Sequence, residues 1–175
     1  MGTSVSAAEQ PSGFEQVVLP HLDAAYNLAR WLAGNDHDAA DIAQEACMRA
    51  WRFQGGYRGG NGHAWLLAIV RHTAYTWLKK NRPKMLVSIG DEELAELADS
   101  EAAEAGFQNA DAAGLRAAME KLPLEFREAL VLRELEGLSY KEIADATEVP
   151  LGTVMSRLAR ARRQLQSILR QKGNV

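Results

Sequence analysis

Cysteine is nearly absent from this 175-residue chain. Cys47 stands alone, so no intramolecular disulfide can form and no cysteine-based zinc site can be assembled within the chain. The histidines His21, His37, His63 and His72 are scattered, with no pair at metal-ligand spacing on one helix, so neither a metal nor a cofactor is expected. No apolar run reaches the ~18 residues that a membrane span needs. The start of the chain has neither a basic segment nor an apolar core of the kind that makes a secretory signal, which leaves the cytoplasm as the expected compartment, without membrane insertion. Clean apolar–polar alternation is missing throughout, so strands are not expected. What remains is 47% apolar and 25% charged, a globular composition with room for one ordinary domain or two small ones.

Net charge is only -3, but the charge is segregated along the chain. Arg71 to Lys84 holds five basic residues (Arg71, Lys79, Lys80, Arg82, Lys84) and no acidic one. Leu151 to Val175 holds six (Arg157, Arg160, Arg162, Arg163, Arg170, Lys172), again with no acidic one. Between them, Asp91 to Asp111 carries eight acidic residues and no basic one. Local field, not net charge, governs contact with phosphate.

The apolar pattern predicts an all-α chain in which two small helical domains are joined by an acidic linker. Residues 1–13 read as a frayed terminus. In 14–83, Phe14, Val17, Val18, Leu22, Tyr26, Ala29 and Ala33 recur at helical steps, interrupted at Pro20 and stopped at Gly34. A second helix, about Asp38 to Phe53, turns Ile42, Ala46, Ala50 and Phe53 to one face. Gln54 to Gly62 contains five glycines in nine residues and reads as a permissive loop around Tyr57 and Arg58. A third helix, about His63 to Asn81, ends at Pro83. Residues 84–113 read as linker, and 114–172 as a second domain with helices at Gly114–Lys121, Leu124–Glu136, Ser139–Thr147 and Leu151–Gln171.

Leu138 to Leu158, LSYKEIADATEVPLGTVMSRL, has helix-turn-helix spacing. Ser139 and Glu142 form a capping-box signature, Ile143 and Ala144 face inward, and a short turn leads to a helix opened at Pro150. On that helix Val154, Leu158, Ala161, Leu165 and Leu169 make one stripe. Thr153, Ser156, Arg160 and Arg163 face away from it, with Arg157 and Arg162 nearer the flanks. Arginine forks onto guanine edges or phosphates, and serine and threonine reach either, so this helix is expected in a major groove.

The run LPLEFREALVLRELEGLSYKEIADATEVPLGTVMSRLARAR resembles the promoter-recognition domain of bacterial RNA polymerase sigma factors of the extracytoplasmic-function group. Thr147 and Glu148 depart from the family's usual larger apolar residue and glycine. The helix DAADIAQEACMRAW is similar to the sigma helix that grips the polymerase largest subunit. The resemblance implies that Asp41, Gln44, Glu45 and Arg49 bind core polymerase; read alone, the same face could be merely solvated. Ala40 and Cys47 depart from the family's usual acidic and aromatic residues.

The glycine loop and third helix resemble the family's promoter-melting unit. That implies roles in opening the downstream element for Tyr57, Arg58, Arg71, His72, Thr76, Lys79 and Lys80. Trp65 and Trp77 could serve as core or as base-stacking surface. His72 and Thr76 stand where the family usually has Asn and often Asp or Asn. The linker resembles the family's connector through the polymerase cleft, although an inert tether would read the same way.

The resemblance spans about residues 14–172. It implies a non-enzymatic transcription initiation factor that works with core RNA polymerase, promoter DNA and an anti-sigma factor. With the second lobe ending near Val175, no fused C-terminal sensor is expected. The alternatives are a stand-alone helix-turn-helix regulator, which would dimerise on a palindrome, and an enzyme using His63 or His72, for which no acid partner stands at useful spacing.

Overall fold

The computed structural model describes residues 13–86 and 111–173, all in helices and the turns between them. Residues 1–12 and 87–110, which hold most of the expected terminal tail and linker, lie outside the described residues. The helices are α1 (Gly13–Val18), α2 (Leu22–Ala33), α3 (Asp36–Arg52), α4 (Gly62–Asn81), α5 (Ala112–Glu120), α6 (Leu124–Leu130), α7 (Tyr140–Thr147) and α8 (Leu151–Gly173). The first four form one lobe and the last four the other.

The boundaries follow from local chemistry. Pro20 sits in a 3-10 turn, Leu19–His21, that separates α1 from α2. A 3-10 turn advances about 120° per residue instead of 100°, which shifts the helix phase. Leu22, expected in the core, therefore stays exposed, while Ala25, Leu28, Ala29, Leu32 and Ala33 face inward. Gly34 closes α2 at φ 85, a left-handed conformation that favours glycine. Asn35 then caps α3, its side chain accepting from the Asp38 amide at 2.9 Å. Asn61 caps α4 in the same way from Ala64, and Asp111 caps α5 from Gly114. At Gly62 an added Cβ would lie 2.7 Å from a Val17 methyl, so glycine lets the start of α4 lie against α1.

The first-lobe core is built of Leu28, Leu32, Ile42, Leu66, Leu67, Val70 and Leu78, interleaved with buried alanines on α2, α3 and α4. Small residues at the crossings let the helices approach closely. Phe53, expected on the inner face of α3, is 63% exposed because α3 ends at Arg52 and the chain turns away there. In the second lobe, Leu130, Leu132, Leu138, Ile143, Val154, Leu158 and Leu165 are buried together. The expected helix Leu124–Glu136 is α6 followed by a π-helical turn, Val131–Leu135. There the Glu136 amide donates back to the Val131 carbonyl at 3.0 Å.

The two cores merge into one buried cluster. Helix α2 packs on α6, and α4 packs on α7. The seam between them is polar as well as apolar. The Glu128 carboxylate, 1% exposed, accepts from Arg71 Nε at 2.7 Å and from the Tyr75 hydroxyl at 2.9 Å. His63 Nε2 lies 3.0 Å from Glu136 Oε2, and Asn61 donates to Glu142 Oε1 at 2.7 Å. The Arg127 guanidinium donates to the carbonyls of Met119, Glu120 and Leu122 within its own lobe and to that of Trp31 in the other.

Candidate polymerase and nucleic-acid interfaces

Helix α3 leaves Asp41 and Gln44 exposed, because Ile42, Ala46 and Ala50 occupy the buried side of the same helix, and Asp41 Oδ2 lies 3.8 Å from His37 Nε2. Glu45 and Arg49, one turn apart, are half-buried and paired at 3.0 Å. Met48, Trp51 and Phe53 extend this face with exposed apolar surface. The Trp51 ring meets Phe14 edge-on at 5.1 Å. Four polar residues bordered by three large apolar ones suit a protein partner better than plain solvation.

On α4 the expected melting residues divide into two groups. His72, Thr76, Lys79 and Lys80 are exposed and lie on one side of the helix at steps of four, three and one. Arg71 lies on the adjoining side, and its Nε is engaged by Glu128. Burial opposes the Arg71 charge, but Glu128 and Tyr75 together more than compensate and hold its pKa above the ordinary value. Burial also pushes the Glu128 carboxyl up, with Arg71 and Tyr75 drawing it back. Arg82, counted from sequence among the basic residues, bonds Asp38 at 2.6 Å and the Ala33 carbonyl at 3.0 Å, tying the end of α4 to α2 and α3.

Tyr57 is half-buried in the glycine loop. Its hydroxyl donates to the Gly60 carbonyl at 2.8 Å and its ring lies 5.1 Å from that of Trp65, while Arg58 is exposed. Trp65 and Trp77 are both partly buried against the core, between the two roles that sequence left open.

The helix-turn-helix forms from α7 and α8. The capping box at Ser139 and Glu142 is complete, with both reciprocal bonds present. The bond from the Ser139 backbone, followed by that from the Asn61 side chain, holds the Glu142 carboxyl below its ordinary pKa. Glu148 takes the left-handed conformation at φ 56, at the position where the family usually has glycine. Thr147 is buried, and its hydroxyl is satisfied by the Ile143 carbonyl at 2.7 Å. Ala146 and Thr147 sit deeper than Ala144, which is half-buried.

Along α8, Thr153, Ser156, Arg160 and Arg163 are half-exposed on the side opposite Val154, Leu158, Ala161 and Leu165. Ser156 Oγ donates to the Gly152 carbonyl at 2.9 Å, one turn back. Arg157 differs from expectation. It is 9% exposed and lies against Glu125 at 3.5 Å, so its side chain braces α8 on α6. Arg162 likewise pairs with Glu134 at 2.6 Å. Met155 was missed from sequence. It is 52% exposed one turn after Leu151, which is also exposed, and nothing in a hydrophobic period flags an apolar residue that stays outside.

This layout matches known proteins over most of the chain. Residues 17–84 match the family model for Sigma-70 region 2, and residues 113–165 that for Sigma-70, region 4. The ECF RNA polymerase sigma-E factor of Haemophilus influenzae is 32% identical over 154 residues, covering 80% of this chain and 78% of that protein. The chain belongs to the extracytoplasmic-function sigma factors.

The ECF RNA polymerase sigma factor SigE of Mycolicibacterium smegmatis is 37% identical over 93% of this chain, which spans 63% of that relative's length. Among solved structures, the sigma factor RpoE of Bartonella quintana, in complex with the anti-sigma factor NepR, superposes with a TM-score of 0.69 at 29% identity. That match covers 90% of this chain and 96% of the other. The region 2 match lies on the first lobe and the region 4 match on the second. No described helix is long and apolar enough to cross a membrane.

Proposed function

We propose that this sigma factor binds core RNA polymerase through the outward face of α3, with Asp41, Gln44, Glu45 and Arg49 as the polar contacts. It then carries the enzyme to promoters. Thr153, Ser156, Arg160 and Arg163 read the upstream (-35) element from the major groove, and Arg157 supports them by fixing α8 on α6. The Tyr57–Arg58 loop and the His72–Thr76–Lys79–Lys80 side of α4 hold the downstream (-10) element as it melts. An unpaired base would stack near Tyr57, and the lysines would take backbone phosphates. Arg71 joins them only once Glu128 has released it. The factor itself performs no chemistry and works in the cytoplasm, where polymerase and promoter meet. An anti-sigma factor is proposed as a further partner, on the likeness to the RpoE–NepR complex.

The observation that carries this reading is the half-exposed, acid-free outer side of α8, held by a complete helix-turn-helix, on a chain whose α3 face is separately open. The test is reconstitution with core polymerase. The protein should co-elute with the core enzyme and support promoter-specific transcription only in its presence. A pre-melted promoter bubble should rescue a Tyr57→Ala variant and leave Arg160→Ala impaired. Tight binding of one palindrome by the free protein as a dimer would instead establish a stand-alone regulator.

A further inference from the structure

Two pockets meet at Trp31 and Arg116, which line both. One is an apolar groove of about 310 Å³. Leu115 and Met119 of α5, Leu130 of α6 and Leu165 of α8 line it, with Leu135 at the end of the π-helical turn. Leu135 is 58% exposed there, an apolar wall that the core does not use. Helical turns of the π type are rare and recur at functional sites. The other pocket, of about 170 Å³, is more polar and lies against Tyr26, Asn27 and Arg30 of α2. Charges around the two pockets are matched, with one exception. Arg30 Nε bonds Asp36 at 2.7 Å, and Arg162 bonds Glu134 at 2.6 Å. Burial lowers the Arg127 pKa and Glu120 draws it back up, so that carboxylate already has a cation to face. Arg116 has no carboxylate partner among the described residues. Its guanidinium lies over the Trp31 ring, 5.6 Å from the ring centre.

We propose that the groove is a binding site for a small monocarboxylic acid with an apolar body. A water in the liquid takes up about 30 Å³, so the groove has room for a body of about ten carbon atoms. The Arg116 fork takes the carboxylate, with Asn27 and Arg30 on the same polar wall. A guanidinium meets a carboxylate with two parallel bonds, and contact with the Trp31 ring helps to hold its plane. The body lies along Met119, Leu130, Leu135 and Leu165. An apolar cavity with few polar groups at one end, set between two packed lobes, is the usual form of a small-molecule site. One uncompensated cation at its mouth selects a single negative charge. The seated acid touches α2 of the first lobe and α5, α6 and α8 of the second, so it stabilises this arrangement in step with its concentration. None of these residues belongs to the polymerase or promoter contacts proposed above.

The test is calorimetric titration of the full chain with decanoate. Acetate, which has the charge alone, and decyltrimethylammonium, which has the body with the opposite charge, are the comparison probes. Decanoate should bind with a Kd below about 1 mM, and both comparison probes at least about tenfold more weakly. Arg116→Gln should weaken decanoate binding at least about tenfold, and Leu135→Asn should weaken it as well. Both side chains are exposed, so both variants keep the fold. Arg170→Gln, which loses the same charge elsewhere on the surface, should bind decanoate like the parent. Decanoate should raise the Tm of the parent but not that of Arg116→Gln. Equal binding by the parent and Arg116→Gln overturns the proposal, and so does an equal loss in Arg170→Gln. Decyltrimethylammonium binding as tightly as decanoate, or no saturable binding of decanoate, overturns it too. Decanoate that binds only after Phe107→Ala also overturns it, because the groove then belongs to the chain itself; Phe107 lies outside the described residues.

Discussion

Replacing Arg157 and Arg160 one at a time should separate stability from recognition, although the two lie within one turn of α8. Arg157 is almost wholly covered, and its partner Glu125 is partly open to water. Its Nε also lacks a hydrogen-bond partner among the described residues. Truncation to alanine removes the packed stem and leaves Glu125 to rehydrate. The cost falls below the ~3–5 kcal/mol of breaking a sealed pair, at about 2–3 kcal/mol. For a chain of this size, 1 kcal/mol moves Tm by roughly 2–4 °C, so Arg157→Ala should melt roughly 4–12 °C lower. Arg160 lies on the groove side, and its loss should change stability by less than about 0.5 kcal/mol. It should instead weaken the upstream contact by about 1–3 kcal/mol, or roughly 5- to 150-fold, and relax preference at one or two positions. Calorimetry gives the first quantity. Binding of reconstituted holoenzyme to duplexes with single-base changes, well below both melting temperatures, gives the second. The reasoning is refuted if Arg157→Ala melts like the parent yet loses sequence preference. It is equally refuted if Arg160→Ala lowers Tm as far as Arg157→Ala does.

Asp41→Ala/Gln44→Ala should keep the parent's melting temperature, because both side chains are exposed, and should weaken binding to core polymerase in a titration. Glu148→Gly should raise the urea midpoint. Relief of about 1–2 kcal/mol of left-handed strain outweighs the ~0.5–1 kcal/mol of extra chain entropy, whereas Glu148→Ala, equally strained, should not gain. Met155, if it lies against a thymine methyl in the major groove, should make holoenzyme binding sensitive to thymine-to-uracil exchange at one upstream position. That sensitivity should vanish in Met155→Ala.

Much of this was legible because its causes are local. Ser139 and Glu142 announce the start of α7 by their spacing, and Gly34 and Asn35 mark the α2–α3 boundary. The failures have causes that lie far away in sequence. A helical wheel put Arg157 on the flank of α8, but Glu125 reaches it from α6, 32 positions earlier, and draws it under cover. Leu22 is the exception, with a local cause: Pro20 changes the helix phase two residues before it. Nothing in the pattern of 124–136 marks Glu128 as buried among other charged residues. Its burial exists only because Arg71 and Tyr75 arrive from the other lobe. The π-helical turn after α6 likewise carries no glycine or proline to betray it.

Arg127 and Glu128 are neighbours on α6, yet they part from the first lobe on unequal terms. When the seam opens, Arg127 gives up only the Trp31 carbonyl and keeps its three acceptors in the second lobe, so no charge loses its counter-charge. The freed carbonyl lies in the last turn of α2, where water can take over. Glu128 gives up both of its donors. Contact at Trp31 can therefore break and re-form readily, and neither added salt nor titration of a carboxylate should alter it much. Should the lobes part, the Arg127–Trp31 bond gives way at less electrostatic cost than the bonds to Glu128. A seam of this kind has a fast end and a slow end.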